Sequence, residues 1–137
     1  MSRKITHIVI HCTATSQTAT VMAIKRYWKE KLKWSNPGYH YIIDPSGQIH
    51  FLHSEDKIAN GVAGHNANSL HISYIGGVDC KGNAVDNRTL AQKTSFLLLL
   101  RSLRQKYPDA VICGHRDFPN VKKACPSFDA RREYKSI

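Results

Sequence analysis

The feature that most constrains the fold of this chain is an alternation between short β-branched apolar runs and longer amphipathic ones. Residues 5–11 (ITHIVIH) are too few for a helix and rich in Ile and Val, so they read as a buried strand. Thr18 or Thr20 can cap a helix running to about Lys33, with Val21, Ile24, Trp28 and Leu32 on one face; Asn36-Pro37-Gly38 stops it. Tyr39 to Ile43 reads as the next strand. Asp44-Pro45-Ser46-Gly47 fits a type I turn, and residues 48–53 return as the partner strand of a hairpin. After a loop over 54–69, Leu70 to Ile75 forms another strand, ended by Gly76-Gly77. Thr89-x-x-Gln92 is a capping box for a helix to about Tyr107, with Phe96, Leu97, Leu100, Leu103 and Tyr107 as its buried stripe. Ala110 to Cys113 is the last strand and leads into Gly114-His115; Ser127 can cap a final helix. This order predicts an α/β fold with a central sheet flanked by helices. At 137 residues and 42% apolar content, without repeats or linkers, one domain over 1–137 is expected.

The formal net charge of +10 favours anionic partners such as nucleic acid, membrane surface or anionic cell wall. The basic residues are dispersed, with no long basic helix face or tail, so specific nucleic-acid binding is not expected. No apolar run reaches membrane-spanning length. Met1-Ser2-Arg3-Lys4 and the residues after it are too short and polar a stretch for a secretory signal, so synthesis in the cytoplasm without a signal peptide is expected. The four cysteines (Cys12, Cys80, Cys113, Cys125) include no Cys-x-x-Cys pair, which argues against a zinc ribbon and a thioredoxin-like site.

Three residues stand out as candidate metal ligands. His11 ends the first strand and His115 the last. If those strands are parallel, both imidazoles emerge at the carboxyl edge of the sheet, where open α/β sheets place their sites. Cys125 follows within reach of the same point. Two imidazoles and a thiolate suit zinc, and three protein ligands leave a fourth position for water. Pro126 biases Cys125 toward extended backbone, and a helix start just beyond it favours a thiolate. Lys123, two residues before, then faces the same side. By spacing alone the plainer assignment ranks slightly ahead: histidines as polar strand ends, cysteine as a small core residue. His7 shares a strand face with His11 but lies about 13 Å away, too far for one metal. His40, His50 and His53 read as partly exposed positions on or beside the hairpin; Cys12 reads as core, and Cys113 as core or a neighbour of the site.

The segments IVIHCTAT (8–15), NPGYHYIID (36–44), NSLHISYIGG (68–77), VICGHRDF (111–118) and KKACPSFDAR (122–131) resemble, in order, the type 2 N-acetylmuramoyl-L-alanine amidases, a group related to peptidoglycan recognition proteins. The resemblance spans nearly the whole chain and implies a mixed sheet of that family's kind. It places zinc ligands on His11, His115 and Cys125, a catalytic tyrosine on Tyr39 and a catalytic lysine on Lys123. It implies zinc-dependent hydrolysis of the amide between N-acetylmuramic acid and L-alanine in peptidoglycan. Lys123 would stabilise the oxyanion, and Tyr39 would position water or substrate and relay a proton. A monomeric phage or prophage endolysin, acting on the cell wall after release, is the context it suggests. Two positions depart from the family pattern. A histidine often found near Gly61 is missing, with His65 the nearest imidazole, and His71 stands where glycine is usual. The competing readings are a non-catalytic peptidoglycan-binding module, a cysteine hydrolase pairing Cys125 with His115, and a nucleic-acid binder suggested by charge alone. Retention of Tyr39, Lys123 and Cys125 argues against the binding module.

Overall fold

A computed structural model describes residues 3–137. The elements are β1 (His7–Cys12), α1 (Val21–Glu30), β2 (Tyr41–Ile43), β3 (Ile49–Phe51), β4 (Ser69–Tyr74), α2 (Leu90–Lys106), β5 (Val111–Gly114), a short 3-10 turn (His115–Asp117) and α3 (Ala130–Glu133). The sheet order is β3-β2-β4-β1-β5. β1 pairs in parallel with β4 and β5, β2 in parallel with β4, and only the hairpin strand β3 runs antiparallel. The expected mixed sheet flanked by helices is what forms.

Alternation along the strands gives the sheet two unlike faces. Toward α2 and α3 point Ile8, Ile10 and Cys12, then Leu70, Ile72 and Tyr74, packed on Phe96, Leu100, Leu103 and Tyr134. The opposite face is partly apolar, through Val9 with Cys113, Val62 and Phe118, and through Ile42 with Ile24 and Trp28 of α1. Between those patches lie His11, Ser69, His71 and Ser73, all buried. That polar strip carries the candidate site.

Several boundaries differ from the sequence-based expectation. Thr20 is the cap of α1, accepting from the Ala23 N–H, but the helix ends at Glu30, and Leu32 beyond it is 37% exposed. Tyr39 and His40 precede β2 because the chain joins the sheet only at Tyr41. The α2 stripe is narrower than expected, since Leu97 is on its exposed flank. Ser127 does not cap the last helix: its backbone is left-handed (φ 71°), unlike the extended backbone of an N-cap, and its hydroxyl donates to the Gly77 carbonyl. Asp129 caps α3 instead, accepting from the Arg132 N–H at 3.2 Å.

Two polar anchors hold the layers. Gln92 completes the capping box of α2, and its amide also donates to the carbonyls of Ile43 and Ile75, tying the helix start to the ends of β2 and β4. Arg88, its side chain 1% exposed, donates to Asp86, Glu133 and the Tyr134 hydroxyl, and its guanidinium lies 3.4 Å from the Phe128 ring centroid.

Candidate metal centre and groove

Parallel pairing of β1 with β5 sets Ile10 opposite Gly114, so His11 and His115 leave the sheet at the same edge. Asp117 accepts from the Gly114 N–H at 2.8 Å, which closes the turn that presents His115. Gly114 also permits a close approach, since a Cβ there would sit 2.8 Å from Pro126 Cδ. The Cys125–Pro126 segment, joined by a cis peptide, therefore packs directly on β5. It is tied down by Arg116 N–H donating to the Cys125 carbonyl and by Tyr74 Oη–H donating to the Pro126 carbonyl.

The donor atoms of His11, His115 and Cys125 consequently lie within 4.8 Å of one another, with His11 Nδ1 3.9 Å from Cys125 Sγ. Donors around a tetrahedral zinc ion are about 3.3–3.6 Å apart, so the His11–Cys125 pair is already near that spacing and the widest pair would close by about 1 Å. The chemistry of the set also fits. Burial, with His71, His115 and Lys123 nearby, holds the His11 pKa well below the ordinary histidine value. Burial and Lys123 lower that of His115. Both rings are therefore neutral, the form that ligates metals. Contact with the Cys12 sulfur and burial push the Cys125 thiol up. A coordinated divalent cation acts in the opposite sense and deprotonates a thiol outright. The Cys12 N–H, 3.2 Å from Cys125 Sγ, is placed to stabilise the resulting thiolate. The expected help from a helix start is absent, because α3 begins only at Ala130.

The cluster opens onto a groove of about 730 Å³. Tyr27, Trp28, Leu32 and Trp34 form an apolar wall, with Asn60 and Gly61 among the other lining residues. Lys123 is exposed and lines the same groove. The Tyr39 ring lies 5.0 Å from that of His11, and its hydroxyl donates to the Cys12 carbonyl at 3.3 Å. Burial, then the nearby Cys125, pushes the Tyr39 phenol up, so it remains a proton donor. All five residues singled out by sequence thus line one groove.

The remaining histidines divide sharply. His7 pairs with the Thr6 hydroxyl and packs on Phe118, away from the cluster. His65 is exposed and also packs on Phe118, so it does not replace a groove histidine. His50 pairs with Asp44 at 2.8 Å, and His53 is partly exposed, as expected. His40 was expected to be partly exposed and is fully buried, because the chain entering β2 runs beside β4. Its Nδ1 accepts from the His71 N–H and its Nε2 donates to the Lys57 carbonyl; burial lowers its pKa to about 4. Cys113 is core, packed with Val9, Val62 and Phe118.

Sequence reasoning missed the part played by His71 and Asn66. His71 is fully buried, its Nδ1 2.9 Å from His11 Nε2 and its Nε2 2.8 Å from Asn66 Oδ1. Burial, followed by His40 and His115, lowers its pKa to about 3. The signal was present in the alternation of β4: Ser69, His71 and Ser73 share a face, and His11 shares it across the parallel register.

A cluster of three donors close enough to hold a metal ion, set at the carboxyl edge of a mixed sheet and facing a groove, is the kind of arrangement that metal-dependent hydrolases use. Residues 1–128 match the family model described as N-acetylmuramoyl-L-alanine amidase, and the chain belongs to that family. The endolysin of Klebsiella phage KP32 is 37% identical over 126 residues, covering 91% of this chain and 82% of that protein. The solved N-acetylmuramoyl-L-alanine amidase LysC from Clostridium intestinale superposes with a TM-score of 0.79 at 26% identity, covering 96% of this chain and 82% of its own. The same fold occurs in the peptidoglycan recognition protein PGRP-SA of Apis mellifera, with TM-score 0.79, 18% identity, and coverage of 96% and 82%.

Proposed function

We propose that this chain, acting as one domain over residues 1–137, hydrolyses the amide between N-acetylmuramic acid and L-alanine with a zinc ion held by His11, His115 and Cys125. The observation that carries the reading is the convergence of these three donors within 4.8 Å at a groove, in a chain of the amidase family. When bound, zinc supplies a Lewis acid for the scissile carbonyl and brings the pKa of water to about 7. Lys123, at the groove, places a cation where negative charge develops on the carbonyl oxygen. Tyr39, kept protonated by burial, positions water or substrate and relays a proton toward the departing L-alanine amine, taking one up from the attacking water as it gives one. Burial holds His11 and His115 neutral and therefore available to the metal.

The substrate is bacterial peptidoglycan and the setting is that of an endolysin, as in the phage relatives. The net charge of +10 helps retain the protein on anionic wall polymers. Among the described residues no helix is long and apolar enough to cross a membrane. The protein acts as a monomer on the wall after release. Digestion of purified sacculi followed by mass spectrometry tests the reading. New L-alanine amino termini, one zinc per chain, and activity lost to a chelator and restored by zinc are expected. Activity that survives complete metal removal overturns it.

A further inference from the structure

We infer that His71 is a positioning residue: a relay from Asn66 through His71 fixes the proton of His11 on Nε2 and aims the bare Nδ1 at the cation site. The inference rests on the proposed metal site and deepens it.

The proton assignment follows from one backbone group. The Val62 N–H can only donate, and it donates to Asn66 Oδ1 at 2.8 Å, which orients that amide. The same oxygen is 2.8 Å from His71 Nε2, so His71 carries its proton there. A fully buried ring with no carboxylate partner among the described residues is neutral and has only one proton. His71 Nδ1 is then a lone pair, and at 2.9 Å it accepts from His11 Nε2–H. His11 Nδ1 is left bare, facing Cys125 Sγ at 3.9 Å. A cationic or flipped His71 would place a proton on the ligand nitrogen of His11 instead.

The His71 ring is clamped in the required orientation. On one side Gly61 closes over it: a Cβ at 61 would sit 2.2 Å from His71 Nδ1. On the other the His40 ring stacks at 5.9 Å with 13° between planes, and the His71 backbone N–H donates to His40 Nδ1. Glycine at 61 and histidine at 71 are therefore one arrangement, in which the missing side chain makes room for the imidazole that holds His11.

Partners that orient metal-bound histidines typically contribute about 10- to 100-fold in metal affinity. The test combines nitrogen-15 NMR of the imidazoles in metal-stripped protein with competitive zinc titration of wild type, His71→Leu and His71→Gln. Wild-type His11 and His71 are expected as Nε2–H tautomers. His71→Leu is expected to give mixed His11 tautomers and about 10- to 100-fold weaker zinc binding. His71→Gln, which can accept from His11 and donate to Asn66, is expected to recover most of that loss. Should His71→Leu fail to fold, Asn66→Ala releases the relay from its far end and is expected to lower affinity in the same direction. A wild-type His11 protonated at Nδ1, or zinc affinity unchanged in the folded variants, overturns the relay. A wild type that binds no zinc overturns the metal site itself.

Discussion

Two buried polar clusters sit on opposite faces of the same sheet and handle burial in different ways. On one face, the buried, neutral rings of His11 and His71 are hydrogen-bonded to each other, and the buried His40 ring accepts from the His71 backbone N–H. On the other, Arg88 is charged and meets two carboxylates, a phenol and an aromatic face. All five guanidinium hydrogens of Arg88 are engaged: Nε and Nη2 toward Asp86, Nη1 and Nη2 toward Glu133, and Nη1 toward Tyr134. The histidine cluster instead ends on a ring nitrogen, His11 Nδ1, whose near neighbours are other metal-binding donors. A saturated network can only hold structure together, whereas one that stops short retains a coordinating atom. Similar burial thus yields a strut on one face and, on the other, a cluster with a donor left over that could hold a metal ion.

The comparison breaks most visibly at Cys125. Cys125→Ala is expected to abolish zinc retention and wall lysis while leaving the melting temperature of the metal-stripped protein close to wild type. Metal analysis beside a sacculus turbidity assay would check this, and a lytic Cys125→Ala protein would show that the site is not where the donors converge. Arg88→Met should do the reverse. It removes a buried guanidinium from two carboxylates that are themselves 31% and 42% exposed, so the loss is that of its charge-assisted hydrogen bonds and should be about 1.5–3 kcal/mol in denaturant unfolding, with zinc still bound at low temperature. A cost below about 1 kcal/mol would mean that the ion cluster is no strut. Lys123→Ala, at the groove and outside both clusters, should lower turnover at least about a hundredfold with metal content and stability unchanged.

The smallest effect separates the clusters by pH. The His40 pKa is lowered from 6.5 to about 4, so between those values the unfolded chain binds protons that the folded one does not. Stability of the metal-stripped protein is therefore full above about 6.5 and declines as pH falls toward about 4. Asp86 and Glu133 are held below their ordinary values chiefly by hydrogen bonds from Arg88, so their contribution is lost only at lower pH. Urea melts across this range should show the first decline reduced in His40→Leu and the second reduced in Arg88→Met. A single decline, identical in both variants, would contradict two independent clusters.

Local rules carried the sequence reading a long way. The capping box at Thr89, the turn at Asp44–Gly47 and the apolar runs of β1 and β4 each depend on residues close together in the chain, and each formed as expected within a residue or two. His11 and His115 were legible as strand ends, and Cys125 as the third donor. What the sequence could not decide was which strands become neighbours. β4 lies between β2 and β1, and only that order buries His40 and brings His71 against His11 and under Gly61. Nor could it show that Arg88 would find Glu133 and Phe128, forty or more positions away. Periodicity and capping act over one or two turns of chain, so they specify elements and their faces. Burial, proton placement and charge pairing arise from contacts between distant segments, and these exist only once the sheet has closed.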